Sequence, residues 1–154
     1  MKGYEEIERG INYAWKRDMV PVFRLNGTSD LSWEKYSVVR NGTVFKNVFQ
    51  AFPGIQFYDY TKVLGRKVGE IHNYHLTFSA AESNMVDIEK AMSAGYNIAV
   101  VFNTLPAEYL SRQVYNGDES DLRFLDEKNA IIGLKAKGKA KKDTSGFVRI
   151  IEIA

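Results

Sequence analysis

The sequence predicts an α/β protein: a mostly parallel sheet or a partial barrel built from βα units, with a β segment at its C-terminal end. Two observations carry this. Short β-branched and aromatic runs alternate with helical patterns of about ten residues, as parallel crossover units require. The run Asn97–Phe102 (NIAVVF) is apolar almost throughout, as in a strand covered on both faces. The 154 residues are expected to form one domain, with an N-terminal helix over 1–18 and a basic segment over 135–146.

Tyr4, Ile7, Ile11, Ala14 and Trp15 recur at helical spacing between charges, which predicts an amphipathic helix over residues 4–18. Val20–Leu25 (VPVFRL) is a first strand, closed by the turn-rich Asn26-Gly27-Thr28-Ser29-Asp30. Val44, Val48, Phe49 and Phe52 share a face, so a second helix is expected over 43–52, stopped by Pro53-Gly54. Ile55–Tyr60 is a second strand, and Tyr74–Ser79 a third. Ser79 and Glu82 are spaced as a capping box, which predicts a helix from there to Gly95. After the strand Asn97–Phe102, Thr104-Leu105-Pro106 reads as another helix start. Residues 115–128 are acidic and turn-rich, Ala130–Lys137 is a fifth strand and Gly146–Ile153 a sixth.

Composition excludes several chemistries. With no Cys, there are no disulfides, thiolate nucleophiles, iron–sulfur clusters or Cys-bound zinc. Met1 leads into Lys2-Gly3-Tyr4-Glu5-Glu6 without an apolar run, and no stretch approaches a membrane span, so a cytoplasmic protein is expected. Gly-x-Gly-x-x-Gly, the P-loop and Gly-x-Ser-x-Gly are missing, and no cofactor is expected. His72 and His75 are set in a pattern that places them apart, and the acidic loop holding Asp118, Asp121 and Asp126 lacks the calcium-loop spacing. No metal is expected.

In parallel α/β folds, ligands bind beyond the carboxyl ends of the strands. That rule selects Arg24, Asn26, Ser29 and Asp30 after the first strand, and Asp59 and Lys62 after the second. Ser79 and Glu82 follow the third, Asn103 the fourth, and Lys135 and Lys137 the fifth. Helix capping is sufficient to explain Ser79, and turn chemistry explains Asn26 and Asp30. Arg24 interrupts an apolar strand and must be paired or used. The net charge of +2 is also uneven: residues 134–154 sum to +4 and the remainder to −2. Lys135, Lys137, Lys139 and Lys141 alternate, so an extended chain would present them as a phosphate-tracking stripe, with Phe57, Tyr58, Tyr60, Phe78 and Phe102 as stacking platforms.

Five blocks carry a resemblance: Val22–Asp30 (VFRLNGTSD), Phe57–Lys62 (FYDYTK), Tyr74–Ser79 (YHLTFS) with Glu82, Asp121–Asp126 (DLRFLD), and Gly133–Gly138 (GLKAKG) continuing through Asp143–Phe147 (DTSGF). In this order, over about residues 20–148, they resemble the gene-product-88-like proteins of tailed phages and prophages. The resemblance implies phage origin and a shared fold rather than a particular activity. Longer members carry a Cys-bearing N-terminal region; this Cys-free chain is expected to be the strand–helix body without it.

Two functions are expected from these features. The first is a strand-end site for a small anionic or nucleotide-like ligand, with or without catalysis. There Arg24, Asn26, Ser29, Lys62, Ser79, Asn103, Lys135 and Lys137 bind, and Asp30, Asp59 or Glu82 serves as acid or base. The second is an accessory binding protein that inhibits or recruits a host protein, or binds nucleic acid, through Lys135–Lys142.

Overall fold

The computed structural model describes residues 4–152. The chain is α/β with mostly parallel strand pairs, and it divides into two compact units. The first runs to Asp59 and takes in Gly65–His75; the second holds Tyr60–Leu64 and the chain from Leu76 onward.

The first unit begins with α1 (Tyr4–Trp15), whose Ile7, Ile11 and Ala14 face inward and whose first turn carries Glu5 and Glu6 against the helix dipole. Gly10 stands inside this helix for a packing reason. A Cβ there would lie 2.8 Å from the Phe23 ring, so the missing side chain lets β1 (Val22–Arg24) approach the helix. A hairpin follows, with β2 (Val38–Arg40) antiparallel to β3 (Thr43–Phe45). Its turn, Asn41-Gly42, has φ of 51° and 76°, the left-handed pair that a two-residue hairpin turn demands. The one-turn helix α2 (Val48–Ala51) is capped by Asn47, which accepts from the Gln50 amide, while the Gln50 side chain reaches back to the Lys46 amide. β4 (Gln56–Thr61) pairs in parallel with β1, Phe23 opposite Phe57. Phe49 stacks on Tyr74 at 4.0 Å and meets Phe57 edge-on. Asn73 donates through Nδ2 to the carbonyls of Phe49, Phe52 and Ile55, which holds the end of α2 and the entry to β4.

The second unit is built on β6 (Ile98–Phe102). β5 (Tyr74–Ser79) lies parallel to its first residues, with α3 (Met85–Ser93) as the crossover between them. Arg112 donates to the carbonyls of Tyr96 and Met92 and so satisfies the C-terminal end of α3. β7 (Glu108–Tyr109) and β8 (Arg112–Asn116) form a hairpin. β8 is parallel to β9 (Ile131–Lys135), and β9 runs parallel along the whole of β6. β10 (Val148–Arg149) pairs with Val101 and Phe102, so it continues along the β6 edge where β5 has ended. Phe78, Ile88, Ala91, Ile98, Val100, Phe102 and Ile131 form the core.

Several sequence expectations are corrected. Residues 43–52 are not one helix: Asn41-Gly42 turns the β-branched segment into a hairpin and leaves α2 a single turn. The first helix ends at Trp15, short of residue 18. The Ser79–Glu82 box does not cap α3. Asn84 instead accepts from the Ala81 amide and donates to the Ser79 carbonyl, closing a turn that delays the helix to Met85. No helix follows Pro106; Leu110 and Ser111, both at positive φ, make the β7–β8 turn. The lysine segment is not an extended stripe, because Gly138 at φ 55° ends the strand direction and Gly138–Lys142 coil into a 3₁₀ turn. Of the sixth strand expected over 146–153, Val148–Arg149 forms among the described residues, and Ile153 lies outside them. Phe57, Phe78 and Phe102 are fully buried and Tyr58 nearly so, which removes them as stacking platforms.

Removing the Asn73 amide takes a donor from three carbonyls at one buried point, of which that of Phe52 keeps the Ile55 amide. Asn73→Ala is expected to cost about 2 kcal/mol and to lower Tm by roughly 4–8 °C, measured by thermal unfolding.

Candidate functional site

The carboxyl ends of β1 and β4 meet over a buried polar cluster. Asp59, fully buried, accepts from the Asn26 amide at 2.7 Å, from Asn26 Nδ2 at 3.3 Å and from the Tyr74 hydroxyl at 2.7 Å. Asn26 is saturated in turn: its Oδ1 accepts from Ser29 Oγ, the Leu31 amide and Trp33 Nε1, and its Nδ2 also donates to the Leu31 carbonyl. Beyond Tyr74 lies Arg66, with its side chain 1% exposed. It donates to both carboxylate oxygens of Glu34 (3.0 and 2.6 Å) and to the Tyr74 hydroxyl (3.1 Å), and stands 3.8 Å from Asp30.

The electrostatics follow from this burial. Desolvation pushes the Asp59 carboxyl above its ordinary range, against the opposing pull of the Asn26 amide and Tyr74 hydroxyl. Tyr74 is driven well up by burial and by the Asp59 charge beside it. Burial alone would lower Arg66 and raise Glu34, but their mutual hydrogen bonds prevail: the guanidinium is held firmly protonated and the carboxylate below its ordinary value. This cluster fixes the Asn26–Trp33 loop on two strand ends, and its polar atoms are largely consumed in doing so.

In the second unit, β5, β6, β8, β9 and β10 are linked by parallel pairings, so their carboxyl ends share one edge. Half-buried Ser79 and exposed Glu82 follow β5, and Asn103 follows β6. Asn103 exchanges hydrogen bonds with the backbone of Ile151 and thereby anchors the segment after β10. Arg149 donates to the carbonyls of Ala81, Gly146 and Phe147 and to the Tyr109 hydroxyl. Lys135 and Lys137 are exposed at the end of β9. Asp118, just past β8, accepts from the Lys135 amide and pairs with Lys137 Nζ at 2.9 Å; these contacts lower the Asp118 carboxyl. Nearby, buried Arg123 donates to the Gly117 and Ser120 carbonyls and pairs with Asp126 at 3.2 Å, which gives the acidic loop a structural centre.

The predicted residues therefore separate. Asn26, Ser29, Asp30 and Asp59 gather in the first unit, where Arg24 is exposed at the end of β1 with its Nε on the Asn26 carbonyl. Ser79, Glu82, Asn103, Lys135 and Lys137 lie on the edge of the second, and Lys62 is an exposed residue of that unit just past β4. Arg66, Glu34 and Tyr74 were not among the candidates. Their partners sit 32 and 8 residues apart, and no local pattern marks such a pairing. The one available signal was an arginine beside apolar Val63, Leu64 and Val68. Among the described residues there is no group of three metal-ligating side chains, and no helix is long and apolar enough to cross a membrane.

The sequence model of a family described as Gene product 88 matches residues 2–150. No curated protein and no solved structure matches the chain.

Two outcomes follow from the cluster. Tyr74→Phe removes the hydroxyl that bridges Asp59 and Arg66 and is expected to cost about 1–2 kcal/mol, read from urea unfolding at neutral pH. Asp59 carries a pH signature. Its folded-state value lies above the ordinary 3.8, so in that window the native state holds more protons than the unfolded chain. Its contribution to stability therefore falls as pH rises from the ordinary value through the raised one, and is flat above. Relative to the parent, Asp59→Asn is expected to gain stability with rising pH across that window. A flat or opposite difference in paired unfolding curves would show a carboxylate held ionised.

Proposed function

The chain belongs to the Gene product 88 family, and from that footing we propose that it binds a small phosphate-bearing or nucleotide-like anion along the carboxyl edge of its second unit. One observation carries the reading. Linked parallel strands end on a common edge, which is where α/β sheets present ligands, and exposed Lys135 and Lys137 stand on it. Lys137 pairs with Asp118 in an exposed ion pair, a type of contact weak enough for an incoming anion to displace. Lys135 supplies its ammonium group to the same edge, and Ser79 a hydroxyl. Glu82, exposed just beyond β5, is the carboxylate that would accept a proton from a bound group. Asp59 serves instead the ordering of the first unit's loop, because it already accepts three hydrogen bonds, and Asp30 lies 3.8 Å from Arg66 in that unit.

Thermal unfolding with pyrophosphate or ADP tests the reading. At ten times Kd, one site contributes about 1.4 kcal/mol, a rise of roughly 3–5 °C in Tm. Lys135→Ala is expected to weaken binding about tenfold, while Lys90→Ala on α3 leaves it unchanged. If neither anion raises Tm, or if Lys135→Ala binds as the parent does, the ligand lies elsewhere or does not exist.

A further inference from the structure

We infer that the 3₁₀ turn Gly138–Lys142 is a contact for the phosphate backbone of nucleic acid, independent of the small-ligand edge. The turn places Lys139, Lys141 and Lys142 within four residues, all exposed. A 3₁₀ turn has three residues per turn, so Lys139 and Lys142 fall on the same side, roughly 6 Å apart along the axis, with like charges opposed. Among the described residues no carboxylate comes within 4.0 Å of any of these three ammonium groups.

The acid nearest in sequence is withdrawn. Asp143 accepts from Ser145 Oγ, the Ser145 amide and the Val148 amide, and these contacts hold its carboxyl below the ordinary range. The turn is also fixed at both ends. On one side the Ala136 amide bonds the Phe102 carbonyl; on the other, β10 pairs with β6. The Ala140 and Asp143 amides close the turn itself on the Lys137 and Ala140 carbonyls. Charges of one sign are thus concentrated on an anchored turn, and among the described residues no ion pair relieves their repulsion. A row of phosphates relieves it, with release of condensed counterions. This differs from Lys137, which has an exposed ion-pair partner in Asp118.

The test is fluorescence anisotropy with a labelled mixed-sequence duplex between about 50 and 200 mM salt. If three phosphates are engaged, neutralising the turn in Lys139→Gln/Lys141→Gln/Lys142→Gln reduces the slope of log K against log salt by roughly 2.7 and weakens binding at low salt at least tenfold. The matched variant Lys16→Gln/Lys46→Gln/Lys90→Gln removes the same charge elsewhere and is expected to retain the parent slope. No binding at low salt, a salt-insensitive isotherm, or equal losses in both triple variants overturns the inference. The pyrophosphate-induced rise in Tm separates the two readings. Its persistence in the lysine-turn variant together with lost duplex binding shows two distinct functions, and its absence in a parent that binds duplex removes the small-ligand reading alone.

Discussion

A carboxylate buried at the end of a parallel strand has to be surrounded by donors, and the first unit is arranged around that requirement at Asp59. The Asn26 amide and side chain arrive from the end of β1, and the Tyr74 hydroxyl arrives from the start of β5. Each donor is itself held: Asn26 by Trp33, Ser29 and Leu31, Tyr74 by its stack on Phe49 and by Arg66. A chain of hydrogen bonds in low dielectric strengthens when complete and is costly when broken. The loop Asn26–Trp33 therefore has little freedom, although its turn composition alone would suit many conformations.

Much of this was legible in the sequence, and the unread part has a common cause. The strands Tyr74–Ser79 and Asn97–Phe102 stood out because their apolar character reflects burial that local composition records directly. Asn-Gly is a strong turn dipeptide, yet the helical spacing of Val44, Val48 and Phe49 pointed to a helix and hid the hairpin that Asn41-Gly42 creates. The helix start at Ser79 failed because Asn84, further along, takes the Ala81 amide and the Ser79 carbonyl. Of the site, Asn26 and Asp59 were selected as strand-end residues and do meet. Arg66, their indirect support, depends on partners far away in the chain, and no periodicity encodes such a pair.

The second unit handles polar groups differently. Its arginines act mainly on backbone carbonyls: Arg112 at the end of α3, Arg123 inside the acidic loop, Arg149 across the segment after β10. A planar guanidinium with five donors suits that work, holding several carbonyls at once. Lysine carries the exposed charge instead. The division leaves the carboxyl edge rigidly backed while its ammonium groups remain at the surface.

The succession of β5 and β10 along one side of β6 has a further meaning. Val101 and Phe102 would otherwise offer bare amides and carbonyls beyond the point where β5 leaves, a template on which a foreign strand could add. Two residues of β10 close that template. A nick or truncation upstream of Val148 would thus do more than shorten the chain: it would turn the middle of the sheet into a sticky edge, and self-association would be the first symptom.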